Sequence, residues 1–335
     1  MNTGRAAAGR FWLWSWWAGL ALTLLLTATL APHLRDSAEL VRLRNALLLQ
    51  SPPAEHAWTP ARPPAGFAVE SAPPTPLYAD TVARNALKVE GDDWATALAI
   101  GRHLLPAGRR SGGAIQADLG ATYVRITAQR EGYCGDYADS FTGLATAAGV
   151  FARSWAFSFD GYGGRGHIFN EIWDAARARW VMIDVFNNFY VVDGAGQALS
   201  AMAFRDALQG NAAGIELVPV DPTAAPGFRD RDKALAYFRR GLPQWYMWWG
   251  NNVFEYDRSP VVAAFGKVHR ALEQLGGVAV GLHPRIRMLA TAEGAEARAR
   301  MWRLRAQLFG VIAAAALTVI GLIGWLLQRR RREAA

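Results

Sequence analysis

Two uncharged apolar runs bracket this chain, Phe11 to Ala31 and Ala306 to Leu327. Each holds about 20 residues, enough to cross a bilayer as a helix. Whatever the remaining residues build must be compatible with attachment to a membrane at both ends. Trp12, Trp14, Trp16 and Trp17 in the first run and Trp325 in the second suit the membrane–water interface. A cleaved signal peptide is the alternative for the first run. It would normally be shorter and end in a small-x-small site, whereas this run ends Thr29-Leu30-Ala31-Pro32, with Pro in an unfavourable place for cleavage. The run therefore reads as an uncleaved anchor.

Arg5 and Arg10 precede the first run, and Arg329 to Arg332 follow the second. The positive-inside rule puts both tails, 1–10 and 328–335, in the cytoplasm. Residues 33–305 then lie across the membrane, which in a bacterial inner membrane is the periplasmic side. Arg298, Arg300, Arg303 and Arg305 crowd the outer end of the second span, but charges on a long translocated region count for less. The tails hold six Arg and one Glu, +5 of the formal +8, so the middle carries only +3. The basic balance reports membrane orientation, and nucleic acid is not expected as a partner. The lipid bilayer is.

The middle region holds the only cysteine, within Glu131-Gly132-Tyr133-Cys134-Gly135-Asp136-Tyr137-Ala138. Tyr137, Phe141, Leu144, Ala145 and Ala148 recur at i, i+4, i+7, i+8 and i+11, one apolar stripe of a helix, and Gly149 ends it. Cys134 thus falls at a helix start, where unpaired N–H groups and the macrodipole favour a thiolate. A lone cysteine is often only a small buried hydrophobe. Here it stands at a helix start after Gly-Tyr, not mid-helix on the apolar stripe, and a matching His and Asp follow. One cysteine leaves no internal disulfide.

Downstream the period changes to two. Trp155, Phe157 and Phe159 mark a strand, and 167–173 and 180–186 mark two more, joined by the hairpin loop 174–179. If Trp173 pairs with Trp180, His167 and Asp184 share a sheet face as diagonal neighbours within hydrogen-bonding reach. A one-residue slip would place them on opposite faces. Cys134, His167 and Asp184 can then act as nucleophile, base and orienting carboxylate. The Cys134 backbone N–H is the natural oxyanion donor, and Gln129 is a candidate for the second. Taken singly, a core histidine and a strand-end aspartate need no chemistry; the shared face favours the triad.

Gly132-x-Cys134-x-Asp136-Tyr137-Ala138, His167-x-Phe169-Asn170-Glu171-Ile172-Trp173 and Trp180-Val181-x-Ile183-Asp184 together resemble the core of the transglutaminase-like superfamily. The resemblance covers roughly 90–210, and Val185 stands where many members have Pro. It implies an α+β, papain-like core, with Cys134 on a helix N-terminus packed against an antiparallel sheet bearing His167 and Asp184, set between the two transmembrane helices. It also implies acyl transfer on peptide or amide carbonyls through a thioester. Hydrolysis is preferred over cross-linking because water is the default acceptor. The family includes inactive scaffolds, so a non-catalytic part of an envelope or polysaccharide-export assembly is the competing reading.

The remaining organisation is read from composition and period. Residues 33–50 form a stalk helix leaving the membrane, and 51–76, with eight of the sixteen prolines, form an extended spacer or surface wrap. The core runs from 77 to 210, with helices over 92–105 and 115–126. Residues 211–305 form a mostly helical extension. Its run Gln244 to Asn252 is densely aromatic: it could stack sugars or line a substrate groove, but packing on the core or the lipid interface is the better reading. No CxxC or HExxH pattern occurs, so no metal or cofactor is expected.

Overall fold

The computed structural model describes residues 2–50, 56–105, 112, 113, 115 and 117–333. In chain order the elements are α1 (Asn2–Ala28), α2 (Ser37–Leu48), α3 (Pro76–Arg84), α4 (Asp93–Leu104), α5 (Leu119–Val124), α6 (Cys134–Ala148), β1 (Ala152–Ser158), β2 (Gly166–Asp174), β3 (Arg179–Ile183), β4 (Tyr190–Asp193), α7 (Ala201–Gln209), β5 (Ile215–Val218), α8 (Arg231–Gly241), β6 (Trp245–Trp249), α9 (Val253–Asp257), α10 (Pro260–Gly266), α11 (Arg270–Ala279), β7 (Arg285–Met288) and α12 (Ala295–Glu333). The class is α+β. A five-stranded antiparallel sheet of order β3-β2-β1-β6-β7 forms the centre.

Two helices, α1 and α12, are long and apolar enough to cross a membrane. They pack on one another through small residues. Gly19 lies so close to Thr318, and Gly321 so close to the Trp16 backbone, that an added Cβ would come within 2.8 Å and 2.7 Å. Larger side chains there would force the helices apart. Thr23 and Thr318 hydroxyls meet at 3.3 Å, and Trp16 stacks on Trp325.

Strand alternation sorts the sheet into two faces. On β6, Trp245, Met247 and Trp249 enter one core with Trp155, Phe157, Phe169 and Phe238. Tyr246 and Trp248 enter another with Leu48, Leu49, Ile286 and Met301. The apolar stripe of α6 covers Ala152, Ile172, Val181 and Ile183 on the latter face of the sheet. The aromatic run 244–252 therefore packs on both faces of the sheet, and Tyr246 and Trp248 also face the cleft beside Cys134.

Three expectations about organisation are corrected. Residues 211–305 are not an extension: β6 pairs with β1 through Trp155↔Met247 and Phe157↔Trp245, and β7 pairs with β6. The central sheet is incomplete without them. The stalk helix is present as α2, but it packs against the domain: Ala46, Leu48 and Leu49 are buried and Leu49 bridges Ile286. Nor does the structured domain begin at residue 77. Residues 51–55 lie outside the described residues, but 56–75 wrap the sheet, with Trp58 and Phe67 in the aromatic core. Ala68 N donates to the Trp249 carbonyl and Trp180 Nε1 to the Trp58 carbonyl. Apolar anchors at irregular spacing on a proline-rich segment hold a wrap without any periodic signal.

Candidate active site

The start of α6 is built by its own sequence. Gly132 takes φ +107, a conformation side chains rarely adopt, and Tyr133 caps the helix in extended geometry. Asp136 reaches back to accept the Tyr133 N–H at 2.8 Å. At the other end Gly149 takes φ +84 as a left-handed cap. Cys134 is the first helical residue and is half-buried. The N–H groups of Cys134 and Gly135 precede any intrahelical acceptor.

The hairpin supplies the partners. Trp173 pairs with Trp180 and Asn170 with Ile183, the register that puts His167 and Asp184 on one face. His167 Nε2 meets Asp184 Oδ2 at 2.6 Å, both groups fully shielded. Cys134 lies close enough to add to the electrostatic support of the protonated ring, and both residues line the same cleft. Burial opposes a charged imidazole, but the Asp184 charge and hydrogen bond, helped by Cys134, outweigh it and raise His167 to about 10. Asp184 thus favours the protonated ring. Phe157, Phe169, Phe186, Tyr237 and Phe238 surround it with centroids 5.7–6.1 Å away.

Asp184 is fixed in turn. Its backbone exchanges hydrogen bonds with Phe189, its Oδ1 accepts the Asn187 backbone N–H at 3.1 Å, and its Oδ2 accepts Asn187 Nδ2 at 2.8 Å. Asn187 is clamped by Gly227, where an added Cβ would fall 2.4 Å from the Asn187 Cα. Neither Asn187 nor Tyr237 stands out in the sequence. Asn187 follows Asp184 in a tight turn, and Tyr237 arrives from α8, seventy residues along the chain from His167.

Cys134, Gly135 and His167 open into a cleft of about 380 Å³. Ile168, Tyr246 and Trp248 of the sheet line it, together with residues of α2, α6 and α11. Gln129 does not. It ends the π-helical turn Arg125–Gln129, is exposed, and is absent from the cleft wall. The turn carries it outward, so the second-donor role expected of Gln129 fails, and the Gly135 N–H takes its place as a candidate. No family model matches the chain, and no curated protein or solved structure matches it either.

Proposed function

We propose that the chain is a membrane-anchored, transglutaminase-like cysteine acyl-transfer enzyme with a papain-like core, acting on peptide or amide carbonyls. One observation carries this reading: His167 meets Asp184 at 2.6 Å and lines the same cleft as Cys134, which stands at the start of its helix. The Cys134 sulfur attacks the carbonyl carbon. A C–S bond forms as the carbonyl electrons move to oxygen, which the Cys134 and Gly135 N–H groups stabilise. Collapse breaks the C–N bond, and the imidazolium of His167 protonates the departing amine. Water then attacks the thioester carbonyl, His167 taking its proton; the C–S bond breaks, its electrons return to the Cys134 sulfur, and the acid leaves. Asp184 holds the ring and steadies its charge. Hydrolysis is preferred over cross-linking because water reaches the cleft without a dedicated site.

The thioester is the distinguishing species. Incubation of detergent-solubilised protein with the p-nitrophenyl ester of an N-acetylated amino acid is expected to add one acyl group. Intact mass and peptide mapping should place it on Cys134, and hydroxylamine should release it. Cys134→Ala should take up none. Failure of the wild-type protein to acylate at Cys134 would leave the scaffold reading in its place.

The proposed setting is the bacterial inner membrane with the domain in the periplasm. Two membrane-length helices and the arginine-bearing tails support it. Reporter fusions before residue 11 and after 335 are expected to report cytoplasm, and a fusion near 220 periplasm. A cytoplasmic signal at 220 would reverse the assignment.

A further inference from the structure

Past Cys134 the cleft wall becomes charged. Asp139 lies five residues further along α6, about 7–8 Å along the helix axis. Facing the same space are Arg44 of α2, Arg270 and Glu273 of α11, and Asn252.

These groups do not all satisfy one another. Arg270 Nη1 donates to Glu273 Oε1 at 2.5 Å, and Tyr256 Oη also donates to Glu273 Oε1, so that pair is internally matched. Arg44 has only neutral acceptors, Gln274 Oε1 at 3.0 Å and Asn45 Oδ1 at 2.9 Å, while its guanidinium stands over the Trp248 ring at 5.2 Å. Among the described residues it has no carboxylate partner. Asp139 forms neither an ion pair nor a hydrogen bond among the described residues. The Asn252 side-chain oxygen is buried without a donor, in a residue only 2% exposed. A half-buried cation and an exposed anion without an ion pair among the described residues, and a buried acceptor without a donor, thus line one cleft.

From this complement we infer that the cleft holds the α-amino-acid head of its substrate, with the carboxylate on Arg44 and the ammonium on Asp139 and Asn252 Oδ1. An anion alone would leave Asp139 and the Asn252 oxygen unmatched, and an amine alone would leave Arg44 so. A zwitterion is also the ligand that adds no net charge to a walled site. The neighbours fit this reading. Asp139 is exposed at the edge of the cleft, where Arg270 and Arg44 attract its charge. Burial and the Arg44 charge push His283 down to about 3, so it adds no positive charge of its own. Resting on the acyl-transfer reading, the substrate class becomes a peptide carrying an unblocked α-amino-acid head a few bonds from the carbonyl that Cys134 attacks.

Binding can be read without the thiol. Calorimetry on full-length Cys134→Ala in detergent would compare norleucine, hexanoate and 1-aminopentane, which share one alkyl chain. Norleucine is expected to bind at least tenfold more tightly than either single-charge probe. Arg44→Gln and Asp139→Asn should each weaken it about tenfold or more. Hexanoate or 1-aminopentane binding as tightly as norleucine would overturn the inference. So would no norleucine binding at millimolar concentration, or norleucine binding indifferent to Asp139→Asn. Norleucine binding in a protein whose Cys134 cannot be acylated would sink the enzyme reading and keep this site, and the converse result would do the opposite.

Discussion

Replacing His167 with Ala is expected to slow alkylation of Cys134 by iodoacetamide at pH 6 by about 10- to 100-fold. The reasoning starts from the ring. His167 stays protonated up to about 10, held by Asp184 at 2.6 Å and by Cys134. A cation fixed beside a thiol at a helix N-terminus favours the thiolate, the only form that alkylates. An ordinary thiol, with a pKa near 8.5, is about 0.3% thiolate at pH 6. The full ratio is not expected, because a stabilised thiolate is a weaker nucleophile and returns part of the gain. Wild-type rates should therefore change little between pH 6 and 8, whereas rates for His167→Ala should climb steeply. Asp184→Asn separates the roles. It leaves a ring beside the thiol but disturbs the tautomer, so acyl turnover should fall further than alkylation. Equal rates at pH 6 for wild type and His167→Ala would show an unactivated thiol.

The parts of this site legible in the sequence are those set by local rules. A helical stripe beginning at Tyr137 fixes where α6 starts, and hence where Cys134 sits. The short loop 174–179 between two apolar segments sets Trp173 against Trp180, and the period of two then puts His167 and Asp184 on one face. Gln129 failed because its orientation depends on a π-helical turn, which inserts a residue into the helical count and carries no signature in the chain. The partition of the domain failed for a different reason. The β1–β6 pairing joins Trp155 to Met247 across about ninety residues, and a strand alone does not say which edge it will occupy. The same distance hides Tyr237 from His167 and Arg44 from Asp139. Long-range partners are visible only once the sheet order is known. Trp58 and Phe67 show the limit from the other side: they are apolar anchors in a segment whose prolines argue against any regular element.

The largest effect on stability is expected well away from the thiol, at Glu171. This carboxylate is fully buried on β2 and lies directly opposite Arg153 on β1. Its Oε2 accepts Arg153 Nε at 2.7 Å, Arg153 Nη2 at 2.6 Å and Trp155 Nε1 at 2.8 Å, and its Oε1 accepts the Ala201 N–H at 2.8 Å. The Arg153 guanidinium lies 3.5 Å from the Trp180 ring centroid and 4.9 Å from that of Trp58, and it also donates to the His56 carbonyl. Glu171→Ala would strand that cation in an aromatic core, at a cost of about 3–5 kcal/mol. In a domain of this size the thermal midpoint should fall by roughly 6–20 °C, read from melts of the detergent-solubilised protein. Replacing both partners, Arg153→Met with Glu171→Leu, should recover much of that loss, because removing both charges also removes the desolvation penalty; the coupling is read from the double-mutant cycle. The pair also bears on the site. Arg153↔Glu171 belongs to the same ladder as Phe157↔His167, so the ion pair pins the register that aims His167. The double variant should therefore regain stability more fully than low-pH alkylation, since apolar side chains pack without specifying a single register. A double variant as reactive as wild type would show that the ladder and the aromatic core hold His167 in place without the buried charges.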